Sequence, residues 1–123
     1  MNKNVPKVLI VEDDPQVSRF LSRLLADEGC EVRSAGCAEE AIRLAGCECF
    51  QLILTDINLP GMGGFEAIGA LKAAGDAPIL VMTGGADERL AADAKLMGAI
   101  GLISKPFDLE LLKGFLRCAL GSA

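Results

Sequence analysis

Four polar clusters in the sequence each follow directly on a short apolar run. Glu12-Asp13-Asp14 follows the first run, and Asp56 follows a later one. Thr83-Gly84-Gly85 and Ser104-Lys105-Pro106 follow two more. Carboxylates, a hydroxyl and an amine are groups that can hold a divalent cation and a phosphoryl group. If the fold brings the four clusters together, the chemistry they could perform is phosphoryl transfer.

The acidic residues predict a magnesium site. Like charges about 4 Å apart repel each other by roughly 4 kcal/mol at an intermediate effective dielectric constant. If Glu12, Asp13 and Asp56 lie together, protonation, the Lys105 ammonium or a bound cation must therefore offset the repulsion. Oxygen ligands without nitrogen or sulfur suit Mg²⁺. Glu12 and Asp13 are adjacent and suit the metal, whereas Asp56 stands alone and is the expected phosphoryl acceptor, forming an acyl phosphate.

The other two clusters would contact the phosphoryl oxygens. Lys105 can neutralise their charge, and Thr83 can donate a hydrogen bond to one of them. The two glycines after Thr83 let a ligand approach the backbone closely. Pro106 restricts the backbone of Lys105 and could follow a cis peptide bond.

These clusters can meet only if the apolar runs are strands of one sheet. Five runs recur along the chain, and a helical pattern follows each of them. Asp14 is predicted to cap the first helix, with Pro15 in its first turn and Gly29 at its end. One face of this helix is predicted to carry an apolar stripe, formed by Val17, Phe20, Leu21, Leu24 and Leu25. The five runs are Val8 to Val11, Glu31 to Ala35, Leu52 to Thr55, Ile79 to Met82 and Ile100 to Ile103. The other helices are predicted near Ala38 to Ala45, Phe65 to Ala74, Asp87 to Met97 and after a cap at Asp108.

Strands that alternate with helices predict an α/β fold with a parallel sheet covered on both faces. The run Glu31 to Ala35 alternates polar and apolar residues, which is typical of an edge strand, whereas the other runs are apolar almost throughout. The predicted strand order is therefore 2-1-3-4-5, a doubly wound arrangement whose ligands bind outside the carboxyl ends of the strands. Residues 1–123 are predicted to form one domain.

The composition excludes several classes of function. The 123 residues include no His, which excludes a Ser-His-Asp hydrolase, a His-ligated zinc site and a carrier that holds phosphate on its own imidazole. The net charge of −5 argues against nucleic-acid binding. No stretch approaches the roughly 18 apolar residues of a membrane span. The five Cys have no framework spacing, so a reducing cytoplasm is expected, and Cys47-Glu48-Cys49 lacks the second pair that would complete a metal or redox motif.

Taken together, the motifs resemble the receiver domain of bacterial two-component response regulators. The resemblance spans nearly the whole chain, with the motifs in the family's order and spacing. The segments that carry it are Val8-Leu-Ile-Val-Glu-Asp-Asp-Pro15, Leu54-Thr-Asp-Ile-Asn-Leu-Pro-Gly-Met62, Ile79-Leu-Val-Met-Thr-Gly84 and Lys105-Pro106.

This resemblance implies a flavodoxin-like fold with five helices, and Mg²⁺-dependent transfer of phosphate from a histidine kinase or a histidine phosphotransfer protein to Asp56. By the same resemblance, Asp13, Asp56 and the backbone carbonyl of Asn58 would ligate the metal, with Glu12 acting through water. Thr83 and Lys105 would contact the phosphoryl group, and Pro106 would follow a cis bond.

The implied role is signalling rather than catalysis on an external substrate. Such a domain catalyses only its own phosphorylation and dephosphorylation. Phosphorylation would shift an existing conformational equilibrium and alter binding to a downstream effector protein, or to an effector domain beyond this chain. No contact with nucleic acid or membrane is implied, and a monomer and a phosphorylation-dependent dimer both stay open.

The sequence departs from the family pattern at two places, and a third position affects the access of water. Leu102 lies where the family often has an aromatic residue that moves with the threonine, which leaves the route of output open. Met62-Gly63-Gly64 replaces a common Met-Asp-Gly turn and is expected to loosen the loop. Gly85 leaves the phosphoryl group less covered than a large side chain would, so we expect water to reach it readily.

Two functions from other classes fit the same fold. A flavodoxin-like FMN carrier needs an uncharged phosphate loop after the first strand, where Glu12-Asp13-Asp14 would repel the phosphate, and the chain has no Trp or Tyr to stack on the ring. An aspartate-nucleophile phosphatase needs a second aspartate two residues after the nucleophile, and Asn58 cannot serve as that general acid.

Overall fold

Strands and helices alternate along the chain, as the sequence predicts. The computed structural model describes residues 5–59, 62, 64–85, 88–105 and 107–120. The strands are β1 (Lys7–Val11), β2 (Glu31–Ala35), β3 (Leu52–Asp56), β4 (Ile79–Thr83) and β5 (Gly101–Ser104). The helices are α1 (Pro15–Asp27), α2 (Ala38–Cys47), α3 (Gly64–Ala74), α4 (Glu88–Leu96) and α5 (Leu109–Leu120).

Where the strand ends differ from the prediction, they differ by one residue. β3 and β4 continue into Asp56 and Thr83, and β5 ends at Ser104 rather than Ile103. Thr83 pairs with Ser104 in the parallel register, so the ladder runs on into polar residues. Backbone hydrogen bonds do not depend on side-chain polarity. The apolar pattern alone therefore placed the carboxyl ends of these strands one residue too early.

All five strands are parallel, in the order β2-β1-β3-β4-β5, which confirms the predicted topology and places β2 at an edge. In the register between β1 and β3, Val11 lies opposite Thr55. The next residues, Glu12 and Asp56, therefore lie side by side where these two strands end. The register puts the functional candidates at the carboxyl ends of the strands, on one rim.

Alternating strand residues build two cores, one on each face of the sheet. On one face, β1 and β3 contribute Leu9 and Ile53, which pack with the buried residues of α2, α3 and α4. On the other face, Ile10 and Leu54 pack with α1 and α5. The central strands are buried on both sides, which holds the rim residues on a rigid base.

Local signals set the ends of α1 as predicted. Asp14 caps the helix by accepting a hydrogen bond from the Gln16 N–H at 2.9 Å, and Pro15 is the first helical residue. Gly29, with φ of +88°, ends it in the left-handed region that favours glycine. Phe20 belongs to the predicted apolar stripe but is 46% exposed, because Leu21 takes the position facing the sheet.

We predict that Gly101→Ala destabilises the fold by about 1–2 kcal/mol, since overpacking a filled core costs energy of this order. An added Cβ would lie 2.6 Å from Cε1 and Cζ of Phe115 on α5. Urea unfolding followed by far-ultraviolet circular dichroism measures the loss. Phe115→Leu should recover part of the stability in the Gly101→Ala background, and purely additive losses would contradict the predicted clash.

All five cysteines are free thiols, and burial, aided by Glu28, raises the pKa of the buried Cys30. Leu102 is half-buried and packs against the core formed with α2, α3 and α4. Among the described helices, none combines the length and apolarity that crossing a membrane requires. Pro106, Gly63 and Asp87 lie outside the described residues, so the predictions that fall on them stay predictions.

Candidate functional site

Three carboxylates meet at the rim formed by β1 and β3. Glu12, Asp13 and Asp56 each offer an oxygen, and these atoms all lie within 4.8 Å of one another. Glu12 is 4% exposed and Asp56 is 7% exposed, whereas Asp13 is exposed to solvent. The cluster therefore opens to solvent on the side of Asp13 while its other two members are nearly withdrawn from water.

Lys105 bridges the two buried carboxylates. Its Nζ donates to Oε1 of Glu12 at 2.7 Å and to Oδ2 of Asp56 at 2.8 Å. The backbone N–H of Lys105 donates to the Thr83 carbonyl at 2.8 Å, which fixes where its side chain begins. Of the three ways to offset the repulsion between these carboxylates, the structure shows the ammonium. The sequence identified Lys105 for this place.

Backbone donors orient the second oxygen of each buried carboxylate. The Asp14 N–H donates to Oε2 of Glu12 at 3.1 Å, and the Asn58 N–H donates to Oδ1 of Asp56 at 2.9 Å. Both donors lie two residues after the carboxylate they hold, in the turn that follows each strand. Each carboxylate is thus fixed by one local hydrogen bond and one bond to Lys105, which sets its plane before any ligand arrives.

The electrostatics of the pair follow from burial and proximity. Burial raises the pKa of Glu12 above its ordinary value, and the nearby Asp56 charge adds to the rise, against the lowering effect of the Lys105 hydrogen bond. Burial by itself would lower the pKa of Lys105, but its hydrogen bonds to Asp56 and Glu12 outweigh this and leave the pKa raised. Lys105 is accordingly an ammonium throughout the neutral range.

Thr83 lies at the end of β4, beside the strand that carries Asp56, and lines a cavity. Its Oγ1 accepts a hydrogen bond from the Gly85 N–H at 3.2 Å, so the hydroxyl proton takes no part in that bond. The cavity has a volume of about 440 Å³. Its lining residues are Ile57, Asn58, Phe65, Thr83, Gly85 and Leu90. The sequence carried no signal for Phe65 and Leu90, because they lie on α3 and α4 and the sequence does not fix how these helices pack on the sheet.

The oxygen ligands of this cluster suit the metal that the sequence implies. Within the described part of the chain, one cluster of three acidic or cysteine residues could hold a metal ion. It consists of Glu12, Asp13 and Asp56. All three residues offer carboxylate oxygens, and one of them is exposed to solvent. The cluster lies at the carboxyl ends of two parallel strands. Such a set fits Mg²⁺, which prefers oxygen ligands and retains waters.

The structure thus brings together five of the six predicted site residues by direct contact or close approach: Glu12, Asp13, Asp56, Asn58 and Lys105. The contact of Asn58 is the hydrogen bond that its N–H donates to Asp56. Thr83 lies on the neighbouring strand with its side chain buried. The catalytic roles of Asp56, Thr83 and Lys105 and the ligand role of the Asn58 carbonyl stay predictions.

Comparison with known families decides the family. Residues 8–117 match the family model of the response regulator receiver domain. The chain is a response regulator receiver domain. The match includes all four polar clusters, in agreement with the resemblance seen in the sequence. Neither the FMN-carrier alternative nor the phosphatase alternative finds support in the comparisons.

Individual relatives agree with this assignment. The receiver is 37% identical over 118 residues to the response regulator protein FleR of Pseudomonas aeruginosa, covering 94% of this chain and 25% of FleR. Among solved structures, the chemotaxis protein CheY4 of Vibrio cholerae is 33% identical with a TM-score of 0.85, covering 94% of this chain and 98% of that one. A response regulator of Burkholderia pseudomallei, solved with a phosphorylated aspartic acid and a calcium ion, is 32% identical with a TM-score of 0.84, covering 94% and 69%. The chain spans a quarter to a half of the length of the curated relatives it matches.

Proposed function

We propose that this receiver accepts a phosphoryl group on Asp56 from a histidine kinase or a histidine phosphotransfer protein, in a reaction that requires Mg²⁺. The observation that carries the proposal is the Lys105 ammonium held between Asp56 and Glu12, with Asp13 close by. A carboxylate, a cation and further acidic ligands at one point suit phosphoryl transfer. The phosphorylated aspartic acid and calcium ion of the Burkholderia pseudomallei regulator support the same chemistry.

The chain's own residues account for most of the steps. A carboxylate oxygen of Asp56 forms a bond to phosphorus, and the phosphorus–nitrogen bond of the donor breaks with its electron pair passing to the donor's imidazole. The Lys105 ammonium gives up its hydrogen bond to Asp56 and donates to a phosphoryl oxygen instead, and the Thr83 hydroxyl donates to another phosphoryl oxygen. When bound by Asp13, Asp56 and the Asn58 carbonyl, with Glu12 acting through water, Mg²⁺ would neutralise charge on the phosphoryl oxygens.

We further propose how phosphorylation produces a signal and where in the cell the receiver acts. Phosphorylation shifts the receiver between two conformations and so changes its affinity for an effector, which is a separate protein or a further domain of a longer chain. The receiver turns over no external substrate and catalyses only its own phosphorylation and dephosphorylation. Five free thiols favour the reducing cytoplasm as its location.

Incubation with acetyl phosphate and Mg²⁺ tests the chemistry without any partner protein. We expect intact mass to rise by one phosphoryl group, because the carboxylate, Lys105 and the metal ligands all belong to this chain. Chelation by EDTA before the donor is added should reduce the reaction at least about tenfold, as expected when one electrostatic stabiliser is removed. Equal phosphorylation with and without EDTA would contradict the role of Mg²⁺.

Gly85→Tyr should slow hydrolysis of phosphorylated Asp56 by about tenfold, since a side chain at this position would cover the approach of water. Gly85 is exposed, lines the cavity with Thr83 and Asn58, and has open space where a Cβ would lie. Loss of the phosphoryl group after donor removal is followed by intact mass. Gly36→Tyr, at a glycine with equally open surroundings outside this cavity, is the matched control. An unchanged hydrolysis rate in Gly85→Tyr would refute open access as the cause.

A further inference from the structure

Two aromatic rings join α1 to the segment that carries Lys105. Phe20 of α1 and Phe107 stack with ring centroids 6.2 Å apart and planes 2° from parallel. Offset stacking at such separations is a favourable arrangement of aromatic rings. Phe20 keeps nearly half its surface exposed, so burial in the core does not account for its place on the helix. The flat contact with Phe107 does.

The stack lies next to Lys105 in the chain and in space. Phe107 follows Lys105 by two residues, and the side chains of Phe20, Phe107 and Lys105 line one groove of about 400 Å³. The backbone of this segment is held before the stack by the bond from the Lys105 N–H to the Thr83 carbonyl. After the stack, Asp108 caps α5 by accepting from the N–H groups of Glu110 and Leu111.

Three contacts fix the segment that carries Lys105. The backbone hydrogen bond of Lys105 joins it to β4, and the Asp108 cap joins it to α5. The stacked rings join it to α1. The four-carbon stem of lysine has a limited reach, so its ammonium can contact Glu12 and Asp56 together only when the backbone of Lys105 lies within that reach. Hydrogen bonds of 2.7 and 2.8 Å to Glu12 and Asp56 weaken steeply when that position shifts by an ångström.

We propose that Phe20 is a positioning residue: by stacking on Phe107 it holds the Lys105 segment so that the ammonium reaches Glu12 and Asp56 together. The consequence for phosphoryl transfer rests on the proposed function, but the consequence for Lys105 does not. Phe20 acts on Lys105 through its contact with Phe107.

The first test reads Lys105 directly, in the full chain without metal or donor. The ammonium signal of Lys105 in a ¹⁵N–¹H correlation spectrum, and its coupling across the hydrogen bonds to the Glu12 and Asp56 carboxyl carbons, report the bridge. Phe20→Ala should broaden the signal and abolish the coupling, whereas Phe20→Tyr, which keeps the ring, should retain both. Leu24→Ala, which removes a half-buried side chain from the same helix outside the groove, should retain both as well.

The second test measures phosphorylation by acetyl phosphate, which needs no docking surface. At saturating donor and Mg²⁺, Phe20→Ala should react about tenfold more slowly with little change in the half-saturating donor concentration, since a small misplacement of a catalytic group acts on the chemical step. Phe20→Tyr and Leu24→Ala should react at the wild-type rate.

Distinct outcomes separate this inference from the proposed function. A wild-type ammonium signal in Phe20→Ala, or an equal loss in Leu24→Ala, overturns the positioning role. So does a defect of Phe20→Ala that appears only with a protein donor, because that result makes Phe20 a docking residue. If the wild-type chain accepts no phosphoryl group while the ammonium signal still depends on the ring at position 20, the proposed function fails and the positioning role stands.

Discussion

Asp56→Asn is expected to eliminate phosphorylation by acetyl phosphate, with a rate at least about a thousandfold below wild type, as when a covalent nucleophile is removed. The amide has nearly the shape of the carboxylate and can still accept the hydrogen bond from the Asn58 N–H. It lacks the negative charge that attacks phosphorus and attracts both Lys105 and a cation. Intact mass after incubation with Mg²⁺ and donor measures the result, and peptide mapping of the wild type locates the modified residue.

Asp14→Asn is the matched control for this substitution. It removes the same charge from a neighbouring aspartate, and asparagine caps a helix about as well as aspartate does. Asp14 caps α1 and is exposed, outside the group formed by Glu12, Asp13 and Asp56. We expect Asp14→Asn to be phosphorylated at close to the wild-type rate. A phosphoryl group on another residue, or an Asp56→Asn variant that still gains one, would remove the basis of the proposed function.

Lys105→Met should lower the free energy of unfolding by about 1–3 kcal/mol at neutral pH without metal, because it leaves two buried carboxylates without their shared cation. The full cost of breaking a buried pair is reduced here, since the lysine side chain is 23% exposed and solvent screens the charges. Methionine keeps the length of the stem, so the loss reports the ammonium. Urea unfolding followed by circular dichroism is suitable, as the chain has no Trp or Tyr fluorescence to follow.

The deficit of Lys105→Met should depend on pH in a defined direction. The pKa of Glu12 is raised in the folded state, so protonation favours the fold: its contribution is present below the ordinary value of 4.5 and is lost as pH rises through the raised pKa. The pKa of Lys105 is also raised, so its contribution is present below the ordinary value of 10.5 and is lost as pH rises through the raised one. In acid, protonation of Glu12 removes a negative charge that the Lys105 ammonium offsets, so the variant should approach wild-type stability there. It should do so again in strong alkali, where Lys105 of the wild type loses its own charge.

Added Mg²⁺ should stabilise Lys105→Met more than it stabilises the wild type, because the lysine and the cation satisfy the same carboxylates. Lys95→Met, at an exposed lysine of α4, controls for the change in net charge and should show neither effect. A deficit that is constant from acid to neutral pH would contradict the role of the Lys105 ammonium in offsetting the charges of Glu12 and Asp56.

Much of this molecule follows from patterns that act over short stretches of sequence. The alternation in Glu31 to Ala35 identified the edge strand, and the apolar runs beside it identified the central ones, which was enough for the order β2-β1-β3-β4-β5. Asp14 and Gly29 marked the ends of α1 because capping depends on residues within one turn. Strand ends were less predictable where polar residues such as Thr83 continue a ladder.

The sequence by itself determined the α/β order of elements, the rim on which the polar residues gather, and the family to which they belong. It did so because parallel strands all end their carboxyl sides at the same edge. Only the tertiary structure decided that Lys105 joins Glu12 to Asp56. It also decided that Phe20 stacks on Phe107 and stays partly exposed instead of packing in the core. Those contacts depend on distances of a few ångströms between groups far apart in the chain, and such distances are set by how the helices pack on the sheet.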